Sequence, residues 1–251
     1  MFKFETIQQA RTLARKKTRI NTFKWLEAAA ENGHTKDKNI KDLGNIKIVP
    51  RFLNKVGNIS FKKKFFKDHF NSPILLAPMG HQTQFHNLGE IETAKGAQKA
   101  KIMSFFGTQG RMSINDIRMK NPKLNFGWEI FPFGDLKWIS NQLLLVKKNK
   151  CNSVVVCVDA NVRSHRYLDR ETFYDARKYG KRTNPLPKDV SKAKFYDWSL
   201  IKYISKKTEK PVIVKGILTY QDAILAIKNG AKGVWVSNHG GRMFNSGISC
   251  V

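Results

Sequence analysis

Two short apolar segments near the end of the sequence are each followed by side chains that can do chemistry. Lys215 comes directly after the run at 212–214, and His239 and Arg242 come shortly after the run at 234–236. Histidine titrates near neutral pH, whereas lysine and arginine carry fixed positive charge. An isolated lysine or histidine is often only a surface or loop residue. Here the histidine adjoins a Gly-Gly pair and an arginine, which favours a functional site.

These residues belong to a segment, 211–242, that predicts two parallel strands joined by a helix. Both valine-rich runs are typical of parallel strands that are buried on both faces. The helix between them has an apolar face formed by Ala223, Ile224, Leu225 and Ile227. Gly230 is placed to end this helix. In barrels built from such units, the residues just past the carboxyl ends of the strands form the active site, and Lys215 and His239 both lie there.

Strand-like runs recur along the rest of the chain, with helices between them. We predict six strands, at residues 74–77, 102–106, 126–131, 153–159, 212–215 and 233–238. The helices between them include residues 90–100, 136–148 and 199–206. Two further helices begin the chain, around residues 7–14 and 23–30, and Gly33 can end the second. This alternation predicts an α/β fold with a parallel sheet, either an incomplete (β/α)8 barrel or an open six-stranded doubly wound sheet.

The length of the chain, 251 residues, predicts a single domain. We expect a helical extension at residues 1–72 and an incomplete barrel at residues 73–251. A charge-rich stretch at residues 160–197, which contains Pro185 and Pro187, predicts a long mobile loop over the catalytic face.

The composition limits the classes of protein that this chain can be. The formal net charge of +27 would suit a nucleic-acid-binding protein, but the sequence has no zinc-finger spacing, RNP-like aromatic motif or basic zipper. A basic surface also suits anionic substrates or an anionic membrane face. The amino-terminal segment has no signal-peptide core, which predicts a cytoplasmic protein and leaves peripheral association with the inner face of the membrane open. Cys151, Cys157 and Cys250 are too irregularly spaced to predict a disulfide framework or a metal site.

Two motifs carry a family resemblance: VKGILTYQDA, which begins at Val214, and GVWVSNHGGR, which ends at Arg242. Together they resemble the FMN-dependent α-hydroxy acid dehydrogenase and oxidase family, which includes glycolate oxidase and L-lactate dehydrogenase. Supporting matches are PILLAP at 73–78, HNLGE at 86–90 and VD at 158–159. The resemblance implies a TIM-type (β/α)8 barrel with FMN across the carboxyl ends of the strands. About six of the eight strands are present, so we expect a chain that lacks the last two.

The resemblance also implies a role for each candidate residue. His239 would take the hydroxyl proton of a 2-hydroxy acid while hydride passes to the flavin, and Asp159 would orient its imidazole. Arg166 and Arg242 would bind the substrate carboxylate through paired N–H donors. Lys215 would lie beside the flavin ring and stabilise its anionic reduced form.

Further site residues follow from the resemblance alone. The implied FMN contacts, besides Lys215, are Ala77, Pro78, Met79, Gly80, Gly107, Glu129, Cys157 and Ser237, and the implied substrate contacts include Phe23 and Phe131. Both phenylalanines stand where the family has tyrosine. Met79, Gly107, Glu129 and Cys157 replace hydrogen-bonding threonine, serine or glutamine. Each change removes or alters a hydrogen bond, and a carboxylate at Glu129 would repel the flavin unless it were protonated.

The expected function is therefore FMN-dependent oxidation of an L-2-hydroxy acid, of the lactate or glycolate type, to the 2-oxo acid. The family binds the FMN phosphate on its last two strands, so a shortened barrel leaves alternatives open. A barrel-completing partner chain or a homo-oligomer could supply what is missing, or the chain could be a remnant with little activity. A basic nucleic-acid-binding protein is the third alternative.

Overall fold

The computed structural model describes residues 4–160, 162, 164–168, 180–187 and 196–251. The long loop predicted at 160–197 therefore lies largely outside the described residues, and the division of the chain at residue 72 stays a prediction. Within the described ranges, no helix has the length and apolar character needed to cross a membrane.

Three helices begin the chain: α1 (Ile7–Lys17), α2 (Ile20–Glu27) and α3 (His34–Asn45). The prediction that the second helix continues through three alanines and is ended by Gly33 is wrong. Ala28 already has an extended backbone, and Gly33 precedes α3 in the left-handed conformation. The cause is tertiary, because this segment bonds to a loop from the other end of the chain. Arg242 donates to the Ala28 carbonyl, and the Ala30 N–H donates to the Gly241 carbonyl.

The strands form two sheets. An antiparallel hairpin that the sequence did not predict consists of β1 (Lys63–Phe65) and β2 (Asp68–Phe70). The main sheet is parallel and follows the order of the sequence: β3 (Ser104–Gly107), β4 (Phe126–Ile130), β5 (Val154–Cys157), β6 (Val212–Ile217) and β7 (Gly233–Val236). Five of the six predicted strands are thus confirmed. The strand predicted at 74–77 is reduced to one bridge between Leu76 and Ser104, because Pro73 and Pro78 have no N–H to pair on either side of it.

Among the residues that the structure describes, helices cover one face of the main sheet and not the other. They are α4 (Glu90–Ala100), α5 (Ile114–Lys120), α6 (Leu136–Lys148), α7 (Trp198–Lys207) and α8 (Tyr220–Lys228). Their apolar side chains form one core with alternate strand residues such as Val154, Val156 and Val214. The opposite side of the sheet, which we call the inner face, carries Val155 and Ile213 in a separate small core. A doubly wound sheet has helices on both faces, so the one-sided cover and the sequential order identify a partial (β/α)8 barrel.

Aromatic rings of the hairpin close the inner face. Phe65 packs against Phe66 and Phe105 at ring-centroid distances of 4.6 and 6.2 Å, and Phe105 packs against Trp235 at 4.9 Å. Phe65 and Phe66 end the run FKKKFF at residues 61–66, which interleaves aromatic rings with lysines. In the structure these two rings are partly buried packing groups of the inner core.

β7 forms the edge of the sheet, and the prediction that it is buried on both faces is wrong. Val234 and Val236 expose 37% and 51% of their surface. Most of the predicted apolar face of α8 is exposed as well, at Ile224, Leu225 and Ile227. Both findings have one cause, because β6 covers one side of β7 and no described strand pairs with the other side. Gly230 follows the end of α8 at a φ of +98°, as predicted.

Candidate active site at the carboxyl ends of the strands

Three neighbouring strands each present a polar side chain near their carboxyl end. Side chains alternate between the two faces of a strand, so Glu129, Cys157 and Lys215 share the inner face with the residues two positions before them. All three are buried, with exposures of 4%, 0% and 7%. We call these three residues the inner layer. Ionisable side chains are rarely buried unless they are paired. In barrels of this type, the carboxyl ends of the strands are where active sites form.

His239 and Asp159 form a hydrogen-bonded pair above the inner layer. His239 Nδ1 lies 2.9 Å from Asp159 Oδ1. A carboxylate can only accept, so Nδ1 carries the proton and Nε2 is the acceptor of the neutral ring. Asp159 Oδ1 also accepts from the Cys157 thiol at 3.0 Å, and Ser237 Oγ accepts from the His239 backbone N–H at 3.1 Å. The arrangement is that of a proton acceptor whose orientation is set by its neighbours.

The loop that carries His239 rests on the amino-terminal helices. Asn238 Oδ1 accepts from the Gly241 N–H at 3.1 Å, and Asn238 Nδ2 donates to Asn39 Oδ1 of α3 at 2.7 Å. A Cβ added to Gly241 would lie 2.4 Å from the backbone nitrogen of Lys36. Such close approach requires glycine. The helical extension is therefore part of the site, which its position in the sequence did not reveal.

Two glycines make room for the catalytic candidates. Gly216 has a φ of +109°, and a Cβ there would lie 2.6 Å from the Cβ of Asp159. A Cβ on Gly107 would lie 2.5 Å from the carbonyl oxygen of Glu129. Gly107 was predicted as an FMN contact, which stays a prediction, whereas Gly216, Asn238 and Gly241 were not predicted as residues of the site. The available signal was their place beside Lys215 and His239 in the two motifs.

Charges in the site are strongly coupled. Lys215 Nζ lies 3.8 Å from Glu129 Oε1 and 3.9 Å from Cys157 Sγ. Burial acts to lower the pKa of Lys215, but the acidic groups around it, with the carboxyls of Glu129 and Asp159 among them, outweigh burial and hold that pKa above its ordinary value. Burial raises the pKa of Glu129 to about 7 against the opposing charge of Lys215. Burial also raises the pKa of the Cys157 thiol, which therefore stays neutral.

Asp159 behaves in the opposite way. Burial acts to raise its pKa, but the hydrogen bond from His239 and the charge of Lys215 hold the pKa below the ordinary value. The carboxyl of Asp159 is thus ionised at neutral pH, while that of Glu129 titrates near neutral pH. Two carboxyl groups in one site are set for different tasks by their surroundings.

The two predicted substrate-contacting aromatics are both buried, but only one touches the histidine. The Phe131 ring packs edge-on against the His239 ring at 5.9 Å. Phe23 lies on α2, with the guanidinium groups of Arg11 and Arg15 over its ring at 5.8 and 5.6 Å. Phe23 thus contributes to the packing between α1 and α2.

The two predicted carboxylate-binding arginines have different surroundings. Arg242 donates to the carbonyls of Ala28, at 2.7 Å, and of Leu26, which joins the His239 loop to the end of α2. Arg166 Nε donates to Ser164 Oγ at 3.3 Å, a local contact. Their roles toward a substrate stay predictions.

The predicted cofactor contacts after the Leu76 bridge are Ala77, Pro78, Met79 and Gly80. The Met79 carbonyl accepts from Gln82 Nε2 at 3.1 Å. A Cβ on Gly80 would lie 3.0 Å from the carbonyl oxygen of Gln109 in the loop after β3. Gly80 therefore lies beside the loop that follows β3, and the cofactor contacts of all four residues stay a prediction.

Three ligand-type atoms lie close together in the site: Cys157 Sγ, Asp159 Oδ1 and His239 Nδ1, all within 4.8 Å of one another. The hydrogen bonds that Asp159 accepts from the other two account for this closeness. The ammonium of Lys215, 3.9 Å from the sulfur, opposes a cation at this point. The cluster suits proton transfer better than metal binding.

Comparison with known proteins decides the family. A family model described as FMN-dependent dehydrogenase matches residues 14–251. The chain belongs to the FMN-dependent dehydrogenase family. The cofactor of the chain is accordingly FMN.

Several proteins that are similar to this chain agree in how much of their length it spans. 2-Hydroxyacid oxidase 2 of Mus musculus is 30% identical over 248 residues, covering 92% of this chain and 69% of that protein. L-lactate dehydrogenase of Acinetobacter baumannii is 25% identical over 267 residues, covering 90% and 69%. A Pediococcus acidilactici structure named as a lactate oxidase is 26% identical in sequence and superposes with a TM-score of 0.87. The match covers 99% of this chain and 70% of that protein. The chain thus spans about seven tenths of these relatives' length.

The inner layer fits the flavin ring of FMN on one condition. The two contacts of Lys215, at 3.8 and 3.9 Å, are longer than the 2.7–2.9 Å expected of a charge-assisted hydrogen bond. Its ammonium can therefore donate to the electron-rich edge of the ring. Glu129 fits the same edge only when protonated, because a carboxylate repels an acceptor atom. With Glu129 neutral, the residues present fit the cofactor.

Proposed function

We propose that this chain oxidises an L-2-hydroxy acid, of the lactate or glycolate type, to the 2-oxo acid, with His239 as the general base. The contact of 2.9 Å between His239 Nδ1 and Asp159 Oδ1 carries the proposal, because it leaves Nε2 available to accept a proton. The names of the relatives, 2-hydroxyacid oxidase and L-lactate dehydrogenase, support this class of substrate.

The reaction removes two hydrogens from the substrate. His239 Nε2 takes the proton of the hydroxyl group, and the carboxylate of Asp159 stabilises the imidazolium that results. The hydrogen on the α-carbon leaves with its electron pair, so the C–O bond becomes a carbonyl. FMN, when bound, supplies the acceptor for that hydride. The buried charge of Lys215 offsets the negative charge that accumulates on the acceptor side.

Binding of the substrate carboxylate falls to arginine. Arg242 adjoins the His239 loop, and its guanidinium donates to the carbonyls of Leu26 and Ala28. These two bonds hold the side chain in one orientation. We assign Arg242 and Arg166 to the carboxylate, as the family resemblance implies.

The test replaces the base and follows flavin reduction. His239→Ala should still bind FMN but should reduce it with L-lactate or glycolate at least about 100-fold more slowly, since a positioned base contributes on the order of 10² to 10⁴. The matched control is His69→Ala, an exposed histidine of β2 that should leave the rate unchanged. The anaerobic bleaching of the flavin absorbance gives the rate. A full rate in the His239 variant would remove this residue from the mechanism.

The open edge of β7 favours a second candidate, in which the site works only within a larger assembly. Val236 is half exposed, and so are Ile224 and Ile227 of α8 beside it. Unpaired strand edges invite association. Light scattering with and without FMN separates the two candidates. A monomer that binds FMN supports the first, whereas binding that appears only with an oligomer supports the second.

A further inference from the structure

Glu129 is a buried carboxyl group that the proposed mechanism does not use. Its side chain keeps only 5% of its surface exposed, and its Oε1 atom has no hydrogen-bond partner among the described residues. The nearest cation, Lys215 Nζ, is 3.8 Å away. An ionised carboxylate in this position is costly, because burial removes its hydration and the loose contact with lysine restores only part of it.

Among the described residues, the charged or titratable groups that act on Glu129 lie on β5, just beyond its end, and on β6. Burial disfavours the ionised form most. Lys215 on β6 and a hydrogen bond with Cys157 favour that form, and Asp159 just beyond β5 disfavours it. The thiol of Cys157 on β5 lies between these groups and is neutral. The balance brings the pKa of Glu129 to about 7, so the free protein holds a mixture of both forms at neutral pH.

The protonated and ionised forms of Glu129 would interact with a flavin in opposite ways. The protonated carboxyl adds an O–H donor beside the ammonium of Lys215, and the carbonyl oxygens and unprotonated ring nitrogens of a flavin can accept from both. The ionised form repels those atoms and competes for the lysine. Binding of the ring should therefore select the neutral form.

We propose that FMN binding by this chain takes up one proton at Glu129, which then donates a hydrogen bond to an acceptor atom of the flavin ring. The inference rests on the proposed function, since it assumes that the flavin lies beside Lys215. Proton uptake at Glu129 would make the affinity for FMN depend on pH, whereas a glutamine at this position would not titrate and would remove that dependence.

The size of the effect follows from linkage. If only the protonated form binds, the affinity is full below the pKa of about 7 and falls up to tenfold for each pH unit above it. Between pH 6 and pH 8 the dissociation constant should rise about tenfold. Glu129→Gln keeps a donor without a titration, so its dissociation constant should change less than about twofold over the same range.

The experiment is a fluorescence titration of the apoprotein at pH 6, 7 and 8. Because the phosphate of FMN titrates near pH 6, riboflavin serves as a second ligand that lacks this group. Glu209→Gln is the matched control, since Glu209 is 78% exposed and pairs with Lys147 on the surface. This control should retain the pH dependence of the parent. Calorimetry of the parent in two buffers of different ionisation enthalpy counts the protons taken up and does not depend on any variant.

The outcomes separate the two proposals. An uptake close to one proton at pH 8, lost in Glu129→Gln, supports the inference. A pH dependence that survives in Glu129→Gln, or an affinity that increases with pH, overturns it and leaves the proposed function standing. Failure of FMN and riboflavin to bind at any pH overturns both.

Discussion

β6 and β7 are adjacent parallel strands that each lead to a catalytic candidate, yet they hold it by different means. β6 is buried along nearly its whole length, and Lys215 is part of the strand itself. β7 alternates between partly buried and exposed residues, and His239 lies three residues beyond its end. The lysine is positioned by the packing of the sheet. The histidine is positioned by hydrogen bonds of its loop and by the contact with α3.

The two catalytic candidates of one site are therefore held in place in two ways, by close packing and by specific hydrogen bonds. A side chain in a close-packed layer moves only if its neighbours move. A side chain on a loop at an edge strand depends on a few specific contacts, which here involve Asn238, Gly241 and Lys36. Substitutions in the loop should therefore act on the histidine, and substitutions in the inner layer should act on charge and on global stability.

The largest effect is expected from Gly241→Ala. Its φ is +69°, and its Cβ would lie 2.4 Å from the backbone of Lys36, so the loop would have to leave α3. We expect a loss of about 3 to 4 kcal/mol in the free energy of unfolding, from left-handed strain plus lost contacts. Urea unfolding measures the stability, and anaerobic flavin reduction should slow at least about tenfold because His239 is displaced.

Gly240→Ala is the matched control for that substitution. Gly240 has a φ of +68°, but apart from its chain neighbours no atom of the described residues lies within 4 Å of the position of its Cβ. Only the strain of about 1 to 2 kcal/mol should remain. Equal losses in the two variants would mean that the contact with α3 does not position the loop.

The next largest effect is the pH dependence of the free energy of unfolding that Glu129 of the inner layer causes. The folded pKa of Glu129, about 7, lies above the ordinary value of 4.5, so the folded state binds this proton more tightly than the unfolded state. The stability that the proton contributes is fully present below pH 4.5 and is lost as the pH rises through 7. The shift corresponds to at most about 3 kcal/mol.

Urea unfolding at several pH values between 4.5 and 8 tests this expectation. The parent should lose stability relative to Glu129→Gln across that window, and the comparison cancels the titration of all other groups. A constant difference between the two proteins would show that Glu129 is ionised throughout and would contradict its assignment as a proton-binding group.

The smallest effects compare the two strands directly. Val214→Ala on β6 removes methyl groups from a fully buried side chain and should cost about 2 kcal/mol. Val236→Ala on β7, where half of the side chain is exposed, should cost less than about 0.5 kcal/mol. Thermal unfolding of both variants suffices. Similar losses would mean that further polypeptide buries the β7 edge in solution, as the second candidate function requires.

Much of the fold could be predicted because it depends on local patterns. Buried strands of valine and isoleucine, and helices between them, follow from hydrophobic periodicity, and five strands lie where the pattern indicated. Two of the errors arose from tertiary structure, where a distant residue binds the backbone or no described strand covers an edge. Ala28 leaves the helix because Arg242 binds its carbonyl, and Val236 is exposed although its sequence is typical of a buried strand.

The sequence by itself determined which residues can do the chemistry and in what order they follow the strands. The motifs around Lys215 and His239 indicated the family before any coordinates, because residue types at strand ends are local information. Only the tertiary structure decided what these side chains meet. Asp159 precedes His239 by 80 residues, yet their hydrogen bond, like the burial of Glu129 beside Lys215, exists because parallel strands bring their carboxyl ends to one edge. The electrostatic environment that sets each proton affinity is a property of that assembly, and no stretch of the sequence contains it.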